Sequence, residues 1–542
     1  MKLNQDSINQ IIQFMKMGQL EKALQLTNNL LRLNKDNLQL NKLASIIYGD
    51  KNDISRSIEI LLSMKKIHPE DFEIANNLGY YYLSLEKLDM AFNNINDAIK
   101  IKPEDPTPYR NLAEYYLLLR DFEKAEIFIT QCLEKNERKD TNFSQYIPAI
   151  LMKSQILIAK KEKNGAVKFL MSYLNKIFDP ELAFELVKIN KDEISKNMIL
   201  QSEQLIKNSL YKSHIDKFNK LSPLLFFLAK YYENSNNQLS ENYYIQANQE
   251  IASIQRLRVI IFQKQFLTVI NNYKNNYQKI KDYNFSKQNN SQENIFVVGM
   301  PRSGTSLLES IISANNQVFP GGELKAIGYL CKTLKDETLV DLEDLINTLG
   351  DEYIKTSYFI KNSCKFLVDK MPENFVYIGF ILAALPKSKI ILLLRNPWDI
   401  AVSIYKQRYT KNITYASSFF NIAVYIANFE AMTTFWKSFP EIDNNILTLK
   451  YEDLVNDFSN QQHSIYKFCR INEEYSEDLR KGHFVRTASM SQIQKPIQMK
   501  AELSRPFESF KSEFMETYQA QREFWIDKGI NFSGKFFGYL KN

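Results

Sequence analysis

Hydrophobic positions in the first part of the chain recur on a helical period, and the helices they predict recur in turn. Leu20, Ile54, Leu88 and Phe122 stand 34 residues apart, and so do Ala23, Ser57, Ala91 and Ala125. Ala44, Leu78 and Leu112 keep that interval, as do Ser45, Gly79 and Ala113, and Tyr48, Tyr82 and Tyr116. Pro69 and Pro103, also 34 apart, follow Lys- and His-rich helix ends, where Pro stops a helix. Small residues at fixed positions let antiparallel helices approach, and Leu and aromatic positions fill the groove to the next pair. The pattern spans roughly residues 4–137 and fades after an insertion near 137–143. It returns around Ala166 and in a helical pair near Leu224–Ala252.

A different pattern begins after residues 271–292, which are rich in Asn, Lys, Tyr, Gln and Ser and read as a polar linker. The run Asn294-Ile295-Phe296-Val297-Val298-Gly299 is a buried strand ending in Gly. Shorter runs follow at 317–319, 365–369, 389–394 and 446–450, with amphipathic helical stretches between them. Strands alternating with helices predict an α/β domain with a parallel sheet. The expected organisation is an α-solenoid over 1–200, a further helical segment and linker over 201–292, and an α/β domain over 293–542.

Composition sharpens this division. Residues 1–290 hold four glycines (Gly18, Gly49, Gly79, Gly165) and residues 291–542 hold eleven, with all three Trp. Aromatics at 13% exclude a disordered chain, and no apolar run approaches the roughly 20 residues of a membrane span. The net charge of +7 is spread among interleaved Lys, Glu and Asp. That does not argue for nucleic acid and suits an anionic substrate or cofactor. The four Cys are widely spaced without a CxxC pair, so reduced thiols, no metal site and a cytoplasmic setting are expected. No signal-peptide apolar stretch is read at the N-terminus.

The chemistry starts at Gly299-Met300-Pro301-Arg302-Ser303-Gly304-Thr305-Ser306, between the first strand and a helix. This fits a phosphate-binding P-loop at both Gly and at Ser306, with Thr305 where the template has Lys. Backbone N–H groups and the helix N-terminus would cradle an anion there. A nucleoside triphosphatase or kinase needs the missing Lys and a Walker-B Asp, but the strand Ile390–Leu394 ends in Arg395. Arg302 supplies the cation instead.

The 34-residue unit, best seen from Asn77-Leu78-Gly79-Tyr80 through Ala91, Ala98 and Pro103, resembles the tetratricopeptide repeat. The segment Pro301–Leu308 resembles the 5′-phosphosulfate loop of the sulfotransferase family. Leu394-Arg395-Asn396-Pro397-Trp398-Asp399-Ile400-Ala401-Val402-Ser403 resembles its 3′-phosphate site. Val368–Asn374 is similar to the Asp-Lys-x-Pro-x-Asn segment of the tyrosylprotein branch. Lys450–Leu454 is similar to the family's Tyr-Glu-Asp-Leu, and Thr487–Pro496 to its late cofactor loop. The stretch Ala501–Pro506 departs from the family's closing loop. The fusion of repeats to such a domain resembles bacterial members.

The resemblance implies 3′-phosphoadenylyl sulfate (PAPS) as sulfuryl donor and no metal. It implies Arg302, Ser303, Gly304, Thr305, Ser306, Arg395, Ser403, Arg408, Tyr451, Ser489 and Lys495 as donor-binding residues. None of the four His occupies the slot next to Lys370 where the family's small-molecule branch carries its catalytic His, so a carboxylate is the expected base, with His483 as the minor alternative. Glu323, in Pro320-Gly321-Gly322-Glu323, matches the tyrosylprotein branch's catalytic Glu. Arg302 and Lys370 would stabilise charge as the sulfuryl group moves. Alternative roles are a first-turn carboxylate for Glu323 and a salt bridge for Lys370. The acceptor is a hydroxyl on a peptide tyrosine, a glycan or a small metabolite. The repeats suit capture of a peptide or protein partner, packing on a neighbour, or homodimerisation. A repeat scaffold with an inactive nucleotide domain, or a P-loop kinase, are the rival readings.

Overall fold

The computed structural model describes residues 5–138, 143, 146–208, 217–254, 259–286, 293–335, 341–361, 364–409, 413–481 and 507–532. The chain divides into two compact units, Met1–Leu170 and Met171–Asn542. The sequence had set its boundaries at 200/201 and 292/293.

The first unit is an array of helical hairpins. Helices Leu20–Leu31, Ile54–Ile67, Leu88–Ile101 and Phe122–Arg138 each begin at a residue of the 34-residue series. Their partners include Leu38–Asp50, Phe72–Ser84 and Thr107–Leu118. Asn37 and Asp71 cap their helices by accepting from Leu40 N and Ile74 N. Ala23, Ser57, Ala91 and Ala125 are fully buried at the hairpin contacts. Gly79 sits where a Cβ would lie 2.6 Å from Ile95 Cγ1, so only glycine allows that helix approach. Ser57, the polar member of its series, donates to the Ser45 carbonyl at 2.7 Å and so avoids an unpaired buried hydroxyl.

The second unit opens with helices Pro180–Ile189, Lys196–Lys207, Ser222–Tyr232, Asn237–Ile254 and Val259–Ser286. The last of these corrects the linker reading for residues 271–286. Polar composition hid a stripe of Phe266, Val269, Ile270, Tyr273 and Ile280, all buried. Tyr273 meets Trp436 edge-on at 4.8 Å and Phe380 at 5.4 Å.

The sheet strands are β1 (Asn294–Gly299), β2 (Val318–Gly322), β3 (Phe366–Asp369), β4 (Lys389–Leu394) and β5 (Ile446–Lys450). Their order is β2-β3-β1-β4-β5, and every pairing is parallel. All five strands match runs read from the sequence. β1 is buried along its whole length, as a sheet covered on both faces requires. Ile295, Val297, Ile391 and Leu393 pack with Leu308, Ile311, Ile312, Ile465 and Tyr466 in one core. The chain leaves β1 toward the β2–β3 edge and leaves β4 toward β5. The topological switch therefore falls between β1 and β4, and a crevice opens there at their carboxyl ends. Among the described residues no helix is long and apolar enough to cross a membrane.

The helix Lys511–Asp527 closes the unit against the helix Phe419–Lys437. Asn428 Oδ1 accepts from Trp525 Nε1 at 2.7 Å and from Gln521 Nε2 at 3.0 Å. Tyr518 donates its hydroxyl to the Glu430 carboxylate, with Arg522 Nε 3.6 Å away. Phe514 of the closing helix packs on Trp398 at 5.3 Å, beside the crevice.

Burial pushes the Glu430 carboxyl up to about 8, against the hydrogen bond from Tyr518 and the charge of Arg522. The native chain then holds a proton there that the unfolded chain has lost above roughly pH 4.5. Stability should fall as pH rises through that window, by up to about 1.4 kcal/mol per unit from this site, until about pH 8. Glu430→Gln should remove this component. Urea denaturation followed by Trp fluorescence at about pH 5.5 and 7.5 reads it, since all three Trp lie in this unit. Equal pH slopes in wild type and variant would contradict the assignment.

Candidate active site

The phosphate loop follows β1 directly. Ser303 N–H closes a turn onto the Met300 carbonyl at 3.1 Å, and Gly304 ends the loop as N-cap of the helix Thr305–Ile312. Gly304 offers no capping side chain, so the start of that helix is suited to an anion. Gly304 has φ +106°, and a Cβ on it would lie 2.5 Å from the Tyr451 ring. Both facts demand glycine. Arg302 adopts φ +71°, a strained conformation for a side-chain-bearing residue.

Three other segments converge on this loop. Arg395, just past β4, donates from Nη1 to the Arg302 carbonyl at 3.2 Å. Its guanidinium lies 4.3 Å from the Tyr451 ring centre. Tyr451 itself begins the helix that follows β5. Glu452, next in chain, accepts from Asn396 N at 3.2 Å and so joins the β4 and β5 exits. Asn396 caps the helix Pro397–Tyr405 by accepting from Trp398 N and Asp399 N. That helix carries Ser403, whose hydroxyl accepts from Arg302 Nε at 3.1 Å. Arg302 and Ser403, assigned from sequence to opposite ends of a nucleotide, thus touch. Burial lowers the pKa of Arg302, Tyr409 counters this, and Arg395 adds to it. A guanidinium stays charged throughout.

Among the described residues, the buried Ser303 Oγ and Arg395 Nε of this cluster find no hydrogen-bond partner. Orphaned donors are costly in an interior. Beside an uncapped helix start and two guanidinium groups, they fit a phosphate-bearing ligand.

The second cluster lies at the ends of β2 and β3. Lys370 N donates to the Gly322 carbonyl at 2.8 Å, extending the strand pairing. Glu323 and Lys370 therefore emerge side by side, and Lys370 Nζ meets Glu323 Oε1 at 2.5 Å. The Lys370 side chain is 1% exposed and that of Glu323 41%, so the lysine is enclosed while the glutamate can be reached. Glu309, on the phosphate-loop helix, accepts from Gly322 N at 2.8 Å and ties the two clusters. Asp369 is a brace, accepting from Tyr353 Oη at 3.0 Å, Met371 N at 3.1 Å and Asn374 Nδ2 at 3.4 Å.

Tyr409 was not singled out in the sequence. It feels the charge of both clusters: burial pushes its phenol up to about 12, with Arg302 lowering and Glu323 raising it. A tyrosine beyond a helix end carries no motif signal. Arg408 does not join the donor cluster. Its guanidinium is occupied by Glu181, Ser222 and the Phe218 carbonyl. Thr305 and Ser306 are buried in the loop helix. Ser489, Lys495 and His483 lie outside the described residues.

A family model described as "Sulfotransferase family" matches residues 294–476, the span that holds both clusters. This part of the chain carries a sulfotransferase family domain. An uncharacterised protein of Aquifex aeolicus (strain VF5) is 30% identical over 250 residues, 42% of this chain and 32% of that protein. Human sulfotransferase 4A1 is 27% identical over 192 residues, 33% of this chain and 60% of the relative. The chain thus spans about a third of the first relative's length and under two thirds of the second's. The solved sulfotransferase domain from the curacin biosynthetic pathway aligns at 16% identity with a TM-score of 0.27, over 41% of this chain and 98% of that one. The sulfotransferase of Alicyclobacillus acidocaldarius aligns at 15% with a TM-score of 0.26, over 44% and 99%.

For the sulfotransferase domain, Gly304→Ala should cost about 1–3 kcal/mol from positive φ alone. It should also push Tyr451 off the loop. We expect inorganic phosphate to raise the thermal midpoint of the wild type, and the variant to show a lower midpoint and no such rise. A variant as stable and as phosphate-responsive as wild type would contradict the close-approach account.

Proposed function

We propose that this domain transfers a sulfuryl group from PAPS to an acceptor hydroxyl. The observation that carries the reading is the joining of the phosphate loop, Arg395, Ser403 and Tyr451 in one crevice with orphaned donors. A nucleotide phosphorylated at both 3′ and 5′ positions needs two neighbouring anion sites. The first-turn amides of Thr305–Ile312 and Arg302 would hold the 5′ side. Arg395 and Ser403 would hold the 3′-phosphate, and the Tyr451 ring supports Arg395.

In the proposed step the acceptor oxygen attacks sulfur in line while the bond from sulfur to the bridging phosphate oxygen breaks. Glu323 takes the acceptor's proton, and its exposed carboxylate suits that task. Lys370 orients Glu323 and places a buried positive charge near the leaving oxygen. The products are a sulfate ester and 3′-phosphoadenosine 5′-phosphate, so atoms and charge balance without a further reactant. The N-terminal hairpins, read as tetratricopeptide repeats, would recruit the acceptor or a protein partner on their groove.

Incubation with sulfur-labelled PAPS and a panel of phenol, sugar and peptide acceptors tests the reading. Labelled ester is expected, and Glu323→Gln should lower kcat by about 10²–10⁴ with donor binding little changed. Arg395→Ala should weaken binding of 3′-phosphoadenosine 5′-phosphate. Arg470→Ala is the control, because that side chain is 71% exposed and remote from the loop in the fold. No binding of donor or product by the wild type would overturn the reading. Binding with no transfer, and a silent Glu323→Gln, would favour the scaffold alternative.

A further inference from the structure

The segment just beyond the 3′-phosphate helix is gripped by helices that the sulfotransferase family match, residues 294–476, does not include. The Tyr405 carbonyl accepts from Asn248 Nδ2 at 2.9 Å, in a buried contact. Lys406 Nζ stands 3.7 Å from Glu233, which also accepts from Tyr244 Oη at 2.8 Å and Lys230 Nζ at 2.5 Å. Arg408 makes the densest contact. Its Nη1 lies 2.8 Å from Glu181 Oε1 and 3.0 Å from Oε2, and Nε donates to Ser222 Oγ at 3.0 Å. Nη2 donates to the Phe218 carbonyl at 3.2 Å, and the guanidinium sits 5.6 Å from the Phe218 ring centre. The side chain is 4% exposed.

These contacts come from separate elements: Pro180–Ile189, the residues before and at the start of Ser222–Tyr232, and Asn237–Ile254. They converge on Tyr405, the last residue of the helix Pro397–Tyr405, and on Lys406 and Arg408 just beyond it, where the helix ends with Lys406 N on the Val402 carbonyl and Gln407 N on the Ile404 carbonyl. Ser403, which accepts from Arg302 Nε, lies just before the gripped segment, and Tyr409, which feels the charges of Arg302 and Glu323, lies just after it. A planar guanidinium with donors on three sides is suited to fix such a segment; a Lys there would lose most of these bonds.

We propose that Glu181 and Arg408 are positioning residues for the donor pocket. They would hold the segment 403–409 so that Ser403 stands at its place beside Arg302, and the helices after residue 171 would then be a working part of the transferase. This rests on the donor reading above. Neither residue touches the donor itself. The consequence is selective: a loosened segment weakens the grip on a 3′-phosphate, which Ser403 would hold, more than the 5′ side, where the amides of Thr305–Ile312 remain in place.

The test compares 3′-phosphoadenosine 5′-phosphate with adenosine 5′-phosphate by calorimetry on the full chain. Wild type should prefer the bisphosphate. Glu181→Gln should weaken bisphosphate binding about tenfold, as displaced positioning groups do, and change the monophosphate less than twofold. Glu181→Asp, which keeps the charge, should recover most of the loss. Ser222→Ala removes one bond without burying a charge, and should show a smaller loss of the same selectivity even if Glu181→Gln does not fold. Equal weakening of both nucleotides, or an unchanged preference in the folded variants, overturns the positioning role while leaving the donor reading intact. A wild type with no preference for the bisphosphate overturns both.

Discussion

The contact between the Tyr451 ring and Gly304 is the constraint on which the site depends. Glycine leaves room for the ring, the ring underlies Arg395, and Arg395 in turn bonds the Arg302 carbonyl. Three strand exits are thereby locked into one crevice: β1 gives the loop, β4 gives Arg395, and β5 gives Tyr451. Glu452 adds a second tie between the last two by accepting from Asn396 N. A side chain at position 304 would meet the ring at 2.5 Å and force either the ring or the loop to shift.

The chemistry follows from how these exits divide labour. The β1–β4 side gathers positive charge and unpaired donors. The β2–β3 side presents a carboxylate on a buried lysine, and Glu309 spans between them from the loop helix. Binding energy can be gathered at one end of the crevice and proton transfer placed at the other, the separation that group transfer to a hydroxyl needs.

Local patterns made much of this legible in the sequence. The 34-residue series fixed where Leu20, Ile54, Leu88 and Phe122 begin their helices, because small-residue contacts recur with the hairpin. All five strands were read from apolar runs, since a doubly covered parallel sheet needs them. The P-loop spacing located Gly304, and the family motifs located Arg395, Ser403 and Tyr451. What stayed hidden depends on distant partners. Arg408 reads as a further anion ligand on its helix exit, yet its acceptor, Glu181, lies 227 residues away. The helix Val259–Ser286 looks like a linker until Tyr273 meets Trp436, a contact no local window contains. Tyr409 has neither motif nor period and is visible only once the strand ends are assembled.

The central claim is that one crevice holds both phosphates of a 3′,5′-bisphosphorylated nucleotide. A crystal structure with 3′-phosphoadenosine 5′-phosphate addresses it most directly. The account predicts the 5′-phosphate on the first-turn amides of Thr305–Ile312, and the 3′-phosphate between Arg395 and Ser403. A nucleotide bound in the reverse sense, or away from the β1–β4 crevice, would contradict it.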